Sequence, residues 1–177
     1  MKKVLLSLIT IFAVNSLASA QVDIESFKVD AMMGYAKPSA GTAGGGFNLA
    51  VEPKYNLNDN IAVGLQFGLT FLGSGSDSGI LSISALKNYS LTGEYYLGES
   101  RVRPFAGLGA GLYQTGSFTV KDAKGNEIET AGSNLIGFAP RAGLQIGHFR
   151  IATEYHLVKD SNFLTINLGF TIGGGSR

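Results

Sequence analysis

Six charged side chains, Glu52, Lys54, Glu94, Arg141, Arg150 and Glu154, stand out in a sequence where charge is scarce. Glu52 and Lys54 are two residues apart, and Arg150 and Glu154 are four apart. In an extended chain such even spacings put side chains on one face. Carboxylates and cations gathered on one enclosed face have two uses. They can form a static plug, each charge neutralised by a neighbour, or an Arg–Glu switch that gates a narrow passage.

Other chemistry is poorly supplied. There is no Cys, which excludes disulfides, a thiolate nucleophile, Cys-ligated metal and a lipidated Cys. The two His and the scattered carboxylates show no metal-ligand spacing, so neither a metal nor a cofactor is expected. Gly44-Gly45-Gly46 and Gly107-x-Gly109-x-Gly111 lack the Lys-Ser/Thr of a phosphate loop. A formal net charge of +1 gives no basic stripe for nucleic acid. Only 15 % of residues are charged, against roughly 25 % in an ordinary soluble domain.

The segments that must position the six charges alternate with period two. Before them, Lys2-Lys3, an apolar run from Val4 to Val14, and Ala18-Ser19-Ala20 have the layout of a secretory signal peptide, 1–20. Its removal leaves 21–177 as one domain, with the two leader lysines gone and net charge −1. In Ile61–Phe71 every odd residue is Ile, Val, Leu or Phe, and every even one is Ala, Gly, Gln or Thr. That is a strand with one apolar face and one small, polar face, long enough to cross a bilayer at a tilt. The same alternation runs through Phe27–Tyr35, Phe47–Tyr55, Leu81–Leu97, Val102–Leu112, Ile136–Ile146, Phe149–Leu157 and Leu164–Ile172. Eight strands are predicted. Lys87 breaks the apolar face of the fourth, and Pro53, Pro104 and Pro140 lie on apolar faces where a closed ladder has little room for them.

Connectors alternate in length. Asn56–Asn60, Gly98–Arg101 and Gly147-His148 are short; Lys37–Gly46, Gly73–Gly79, Tyr113–Leu135 and Lys159–Phe163 are longer. The polar faces carry mainly Gly, Ala, Ser, Thr and Asn, with few charges of mixed sign (Lys28, Asp30 and Arg103 besides the six). Aromatics collect near strand ends on the apolar faces. These features predict an all-β fold, an eight-stranded antiparallel up-and-down transmembrane β-barrel with its apolar faces toward lipid. Glu52, Glu94, Arg141 and Glu154 then fall at similar depth in the lumen, with Lys54 and Arg150 a little lower.

FKVDAMMGY at 27–35, RPFAGLGAGLY at 103–113 and PRAGLQIG at 140–147 resemble the small outer-membrane β-barrel superfamily, which includes the outer-membrane protein A transmembrane domain and outer-membrane protein W. The resemblance covers the mature chain. It implies residence in the bacterial outer membrane, contact with outer-membrane lipid and insertion by the barrel-insertion machinery. Both termini would be periplasmic and the longer loops outward. Such barrels include lipid A deacylases with a His, a Ser two residues later and an acidic partner. Here His148 is followed by Phe149-Arg150 and His156 by Leu157-Val158, while Asp160 and Ser161 follow His156 in a loop, so no catalytic residues and no enzyme activity are expected. The expected function is structural or surface-interacting in the envelope. The alternatives are a narrow passive channel for small or hydrophobic solutes and a lipid-modifying enzyme. A monomer is expected, without nucleic-acid partners, and the Tyr113–Leu135 loop is the place for an extracellular ligand.

Overall fold

Period-two alternation closes into a ring. The structure, a computed structural model, describes residues 26–39, 43–75, 81–98, 100–115, 118–121, 127–130, 133–159 and 161–174. The expected signal peptide, 1–20, and Asp160 lie outside the described residues. The strands are β1 (Phe27–Pro38), β2 (Ala43–Asn56), β3 (Ile61–Gly75), β4 (Leu81–Tyr96), β5 (Val102–Thr115), β6 (Phe118–Lys121), β7 (Glu127–Thr130), β8 (Asn134–Ile146), β9 (Phe149–Val158) and β10 (Phe163–Gly173). Eight of them form a closed antiparallel barrel in the order β1-β10-β9-β8-β5-β4-β3-β2, and β6 pairs only with β7.

The register sets the dimensions. Following the register once round the ring from Lys37 leads through Leu164, Tyr155, Pro140 (opposite Tyr155 in register, though that pair is skipped), Leu108, Gly93, Val63 and Tyr55 to Phe27. The ring therefore closes with a stagger of ten residues on β1. Eight strands with that stagger tilt by about 40° and enclose a backbone radius of roughly 8 Å. Such a lumen holds side chains and little else.

Outward faces are apolar: Met33, Leu65, Leu91, Ile136, Leu168 and Ile172 are all more exposed than buried. Inward faces bury Asp30, Asn48, Glu52, Gln66, Glu94, Arg141 and Asn167. This polarity is the reverse of a soluble barrel, in which water takes the place of lipid.

Each proline gives up one ladder and keeps the other. Pro53 pairs with Val29 on β1, while the β2–β3 ladder skips Glu52 and Pro53 between Val51↔Phe67 and Lys54↔Gly64. Pro140 pairs with Leu108 on β5, and the β8–β9 ladder skips from Phe138↔Leu157 to Arg141↔Glu154. Pro104 pairs with Leu144 just beyond the last β4–β5 pair, where its carbonyl accepts the Leu97 N–H at 2.8 Å. A residue without an N–H is tolerated in a closed ladder when the gap falls on one side only.

Strands outrun the sequence reading at the end bearing the longer connectors. The expected loop Tyr113–Leu135 loses Tyr113, Gln114, Thr115, Asn134 and Leu135 to β5 and β8, and contains the β6–β7 hairpin. Lys37 and Pro38 belong to β1, Ala43 to Gly46 to β2, Gly73 to Gly75 to β3, and Phe163 to β10. At the other end the turns are tight, and Gly147 holds the β8–β9 turn with φ of 58°.

A single substitution tests which solvent the outward face meets. Leu168 is 60 % exposed near mid-strand. Facing water, Leu168→Arg would shift stability by no more than about 0.5 kcal/mol. Facing the bilayer midplane, it costs about 2–4 kcal/mol. We expect the larger loss in urea titrations of barrel folded into phospholipid vesicles, followed by the mobility of the folded band in gels.

Candidate functional site

Strand parity carries the charged residues into the lumen. Asp30, Glu52, Lys54, Glu94, Arg141, Arg150 and Glu154 occupy inward positions on β1, β2, β4, β8 and β9. None is more than 4 % exposed, so the charged layer is packed by protein rather than lined by a water column. All six charges singled out in the sequence lie in this layer, and Asp30 joins them.

Arg141 is the hub of the upper half. Its Nη1 and Nη2 donate to Glu52 Oε1 and Oε2 at 2.9 and 2.8 Å, a two-pronged match of guanidinium to carboxylate. Nη2 also reaches Glu154 Oε1 at 3.0 Å, and Nε lies 3.2 Å from Glu94 Oε1. The lower half centres on Lys54 and Arg150. Lys54 Nζ sits 2.5 Å from Asp30 Oδ2 and 2.7 Å from Glu94 Oε2. Arg150 pairs with Glu94 through Nη2, approaches Asp30 Oδ2 at 3.3 Å through Nε, and donates from Nη1 to Tyr96 Oη at 2.9 Å. Its guanidinium carbon lies 3.8 Å from the centre of the Phe105 ring. Glu94 joins the halves, since it touches all three cations.

Three cations face four carboxylates in this layer, and neutral donors offset the imbalance. Each carboxylate receives one. Thr171 Oγ1 donates to Asp30 at 2.6 Å and Thr92 Oγ1 to Glu52 at 2.6 Å. Tyr96 Oη donates to Glu94 at 2.8 Å, and Gln66 Nε2 to both oxygens of Glu154 at 3.0 Å. Buried charge is tolerable when it is paired and its remaining lone pairs are satisfied.

Above the ions lies a layer of neutral polar groups, and above that an apolar cap. Asn48 donates to Asn167 at 2.8 Å and accepts from Thr70 at 2.7 Å. His156 Nδ1 is 2.9 Å from Tyr113 Oη, Nε2 is 3.3 Å from Thr165 Oγ1, and the ring stacks on Phe163 with centroids 4.2 Å apart. Ala36, Leu86, Tyr113, Val158 and Phe163 form one buried cluster at this end. A second, with Met32, Ala50, Ala62, Tyr96, Phe105 and Ala152, runs along the lumen wall from above the lower ions to below them. Gly143 makes room for it: a Cβ there would fall 2.6 Å from Phe105 Cζ.

Several participants escaped the sequence reading. Leu86, Tyr96, Tyr113 and Phe163 are inward aromatic or aliphatic residues, and alternation marks an inward face only by its polar residues. Parity placed Leu86 and Tyr96 inward all along. Of the His–Ser–Asp possibility, Asp160 lies outside the described residues; His156 is buried against Tyr113, Thr165 and Phe163, and the Ser161 N–H bonds to the Val158 carbonyl at 3.0 Å. His148 is exposed at the opposite end, its Nδ1 3.0 Å from the Thr171 carbonyl oxygen. Among the described residues no group of three His, Cys, Asp or Glu is placed to hold a metal ion.

Arg141 contacts three carboxylates, so its loss should dominate the energetics. We expect Arg141→Met to cost about 3–5 kcal/mol, because it strands buried charge. Pairing it with Glu52→Leu should recover a large part, because two matched groups then leave together. Equilibrium unfolding of both variants in detergent checks the order.

No protein-family model and no curated protein matches this chain. Among solved structures, the crystal structure of Neisserial surface protein A (NspA) aligns with a TM-score of 0.59 at 16 % identity, covering 83 % of this chain and 96 % of that one. Ail of Yersinia pestis, solved with the heparin analogue sucrose octasulfate, aligns with a TM-score of 0.48 at 23 % identity, covering 83 % and 99 %. The likeness to NspA is one of fold. With apolar faces outward, polar faces inward and a ring of eight antiparallel strands, this chain has the fold of the small eight-stranded outer-membrane β-barrels.

Proposed function

We propose that the protein is an integral protein of the bacterial outer membrane whose lumen is closed, and which acts as a scaffold and through its outward segments. The observation that carries this reading is the stack filling the lumen: paired ions, then amides and hydroxyls, then the apolar cap of Tyr113, Phe163, Val158 and Leu86. A solute would have to break buried ion pairs and part an apolar layer to cross. In this orientation the tight turns and both termini face the periplasm, and the longer connectors with the β6–β7 hairpin face outward. The reading is of a monomer, because the ring leaves no barrel strand edge unpaired. It is also a non-enzymatic reading, supported by how the fold engages both histidines: His156 is buried against Tyr113, Thr165 and Phe163, and His148 sits against the Thr171 carbonyl.

One observation favours a gated passage as the second reading. Arg141 contacts Glu52, Glu94 and Glu154 at once, so its guanidinium has partners to exchange without becoming unpaired. Planar bilayers separate the two. We expect no unitary steps from the intact barrel; steps that vanish in Arg141→Ala would favour the gate instead. The acyl pattern of lipid A, read by mass spectrometry with and without the protein, should be unchanged.

A further inference from the structure

Charge is almost absent from the lipid-facing surface, and where it occurs it is always lysine and always at one end. Lys37 on β1 and Lys87 on β4 point outward and are exposed, and Lys159 is exposed in the turn that directly follows β9. No other outward-facing residue of the eight barrel strands is charged among the described residues.

The register puts the three at one height. A paired step from β1 to β10 and onward descends about 3 Å along the barrel axis, and a residue along a strand about 2.4 Å. On that scale the three lysines lie within about 5 Å of one another in height. An outward tyrosine sits below each: Tyr35 two residues beneath Lys37, Tyr89 two beneath Lys87, and Tyr155 four beneath Lys159. Phe27, Tyr55, Tyr95, Phe149 and Phe170 form the opposite belt, near the tight turns. Aromatic belts mark the two membrane–water interfaces, so the ammonium groups stand at the level of lipid headgroups.

None of the three lysines meets a carboxylate of the described residues, in contrast with Lys54, which meets three. Lys37 and Lys159 also flank a single strand, β10, which separates them laterally by about 10 Å. Between them lie Leu164, outward and apolar, and the exposed Asn162, whose backbone carbonyl accepts the Ser39 N–H at 2.9 Å. An apolar strip for acyl chains beneath two exposed cations that meet no carboxylate of the described residues matches an anionic lipid. The anion available at that depth around a barrel's perimeter is a headgroup phosphate, for which lysine is a point-charge binder.

We infer that Lys37 and Lys159, flanking β10, with Lys87 across the barrel, hold the phosphates of the outer-leaflet glycolipid against the outer rim. This rests on the outer-membrane reading and on its assignment of the longer connectors to the outside.

The test uses barrel folded in neutral detergent, titrated with bisphosphorylated lipid A, with fully dephosphorylated lipid A or with phosphatidylglycerol. Bound lipid is counted by native mass spectrometry, and the unfolding temperature is read from the folded gel band. Bisphosphorylated lipid A should bind and raise the unfolding temperature, and the dephosphorylated form should do neither. Lys37→Gln with Lys159→Gln should weaken binding about tenfold or more, whereas the paired Lys→Arg variant retains it. Equal binding of dephosphorylated lipid A, or undiminished binding by the Gln pair, overturns the assignment to phosphate. Equal binding of phosphatidylglycerol overturns the assignment to the outer-leaflet lipid. A folded gel band in all variants keeps the membrane-barrel reading intact whatever the lipid result; a chain that purifies soluble without detergent overturns that reading first.

Discussion

Hydrocarbon offers no hydrogen bonds, so every backbone N–H and C=O that crosses it must be satisfied inside the protein. For strands the only complete solution is closure, and closure dictates the rest of this molecule. Eight strands with a ten-residue stagger leave a lumen that side chains fill. The outward residues are committed to lipid, so a charge on these strands has one inexpensive destination. It turns inward, where a dry interior demands that it find a partner. The network of Arg141, Arg150 and Lys54 with four carboxylates is thus a consequence of closure before it is a device for anything else.

The prolines show how strictly the ring is kept. Pro53 and Pro140 each interrupt one ladder for two residues, and the register resumes unchanged on the far side. Had either gap shifted the pairing by one residue, every side chain beyond it would have changed faces. Glu52 neighbours Pro53 and Arg141 neighbours Pro140, so the two-pronged Arg141–Glu52 pair spans the lumen from beside one skipped site to beside the other. The geometry gives the ion pair a role in holding β2 and β8 where the ladders are weakest.

Most of this barrel was legible because lipid imposes a strong pattern on the residues that touch it. Ile61–Phe71 reads as a strand with a defined outer face from alternation alone, and the charges of Glu52, Glu94, Arg141 and Glu154 fall inward by parity. What was illegible lay where the lipid constraint lapses. Tyr113 and Phe163 belong to strands that continue past the apolar band, so nothing in the alternation marked them as anything but loop. Leu86 and Tyr96 are inward although apolar, because the lumen of a small barrel is a protein core and takes whatever fills it. Partner choice was equally hidden. That Glu94 would touch three cations, and that each carboxylate would find one neutral donor, depends on ladder register, which a single strand's pattern does not contain.

The two ends of the barrel differ in a way that follows from their solvents. Toward the tight turns the lumen is cationic at its mouth: Lys28 and Arg103 are inward and half-buried, and Arg103 donates from Nε to the Gly98 carbonyl at 3.1 Å and lies 5.0 Å over the Tyr96 ring. Toward the longer connectors the lumen is capped by apolar side chains, and the cations move to the outside of the wall as Lys37, Lys87 and Lys159. An inward cation at an open mouth is hydrated; an outward one at the same level of a membrane must find water or an anion among headgroups. The cap makes the same separation from within, since the ion pairs beneath it are shielded from whatever charge gathers at the rim. Lumen and rim are therefore two electrostatic compartments divided by one wall of strands, the inner one paired within the protein and the outer one facing the headgroup level.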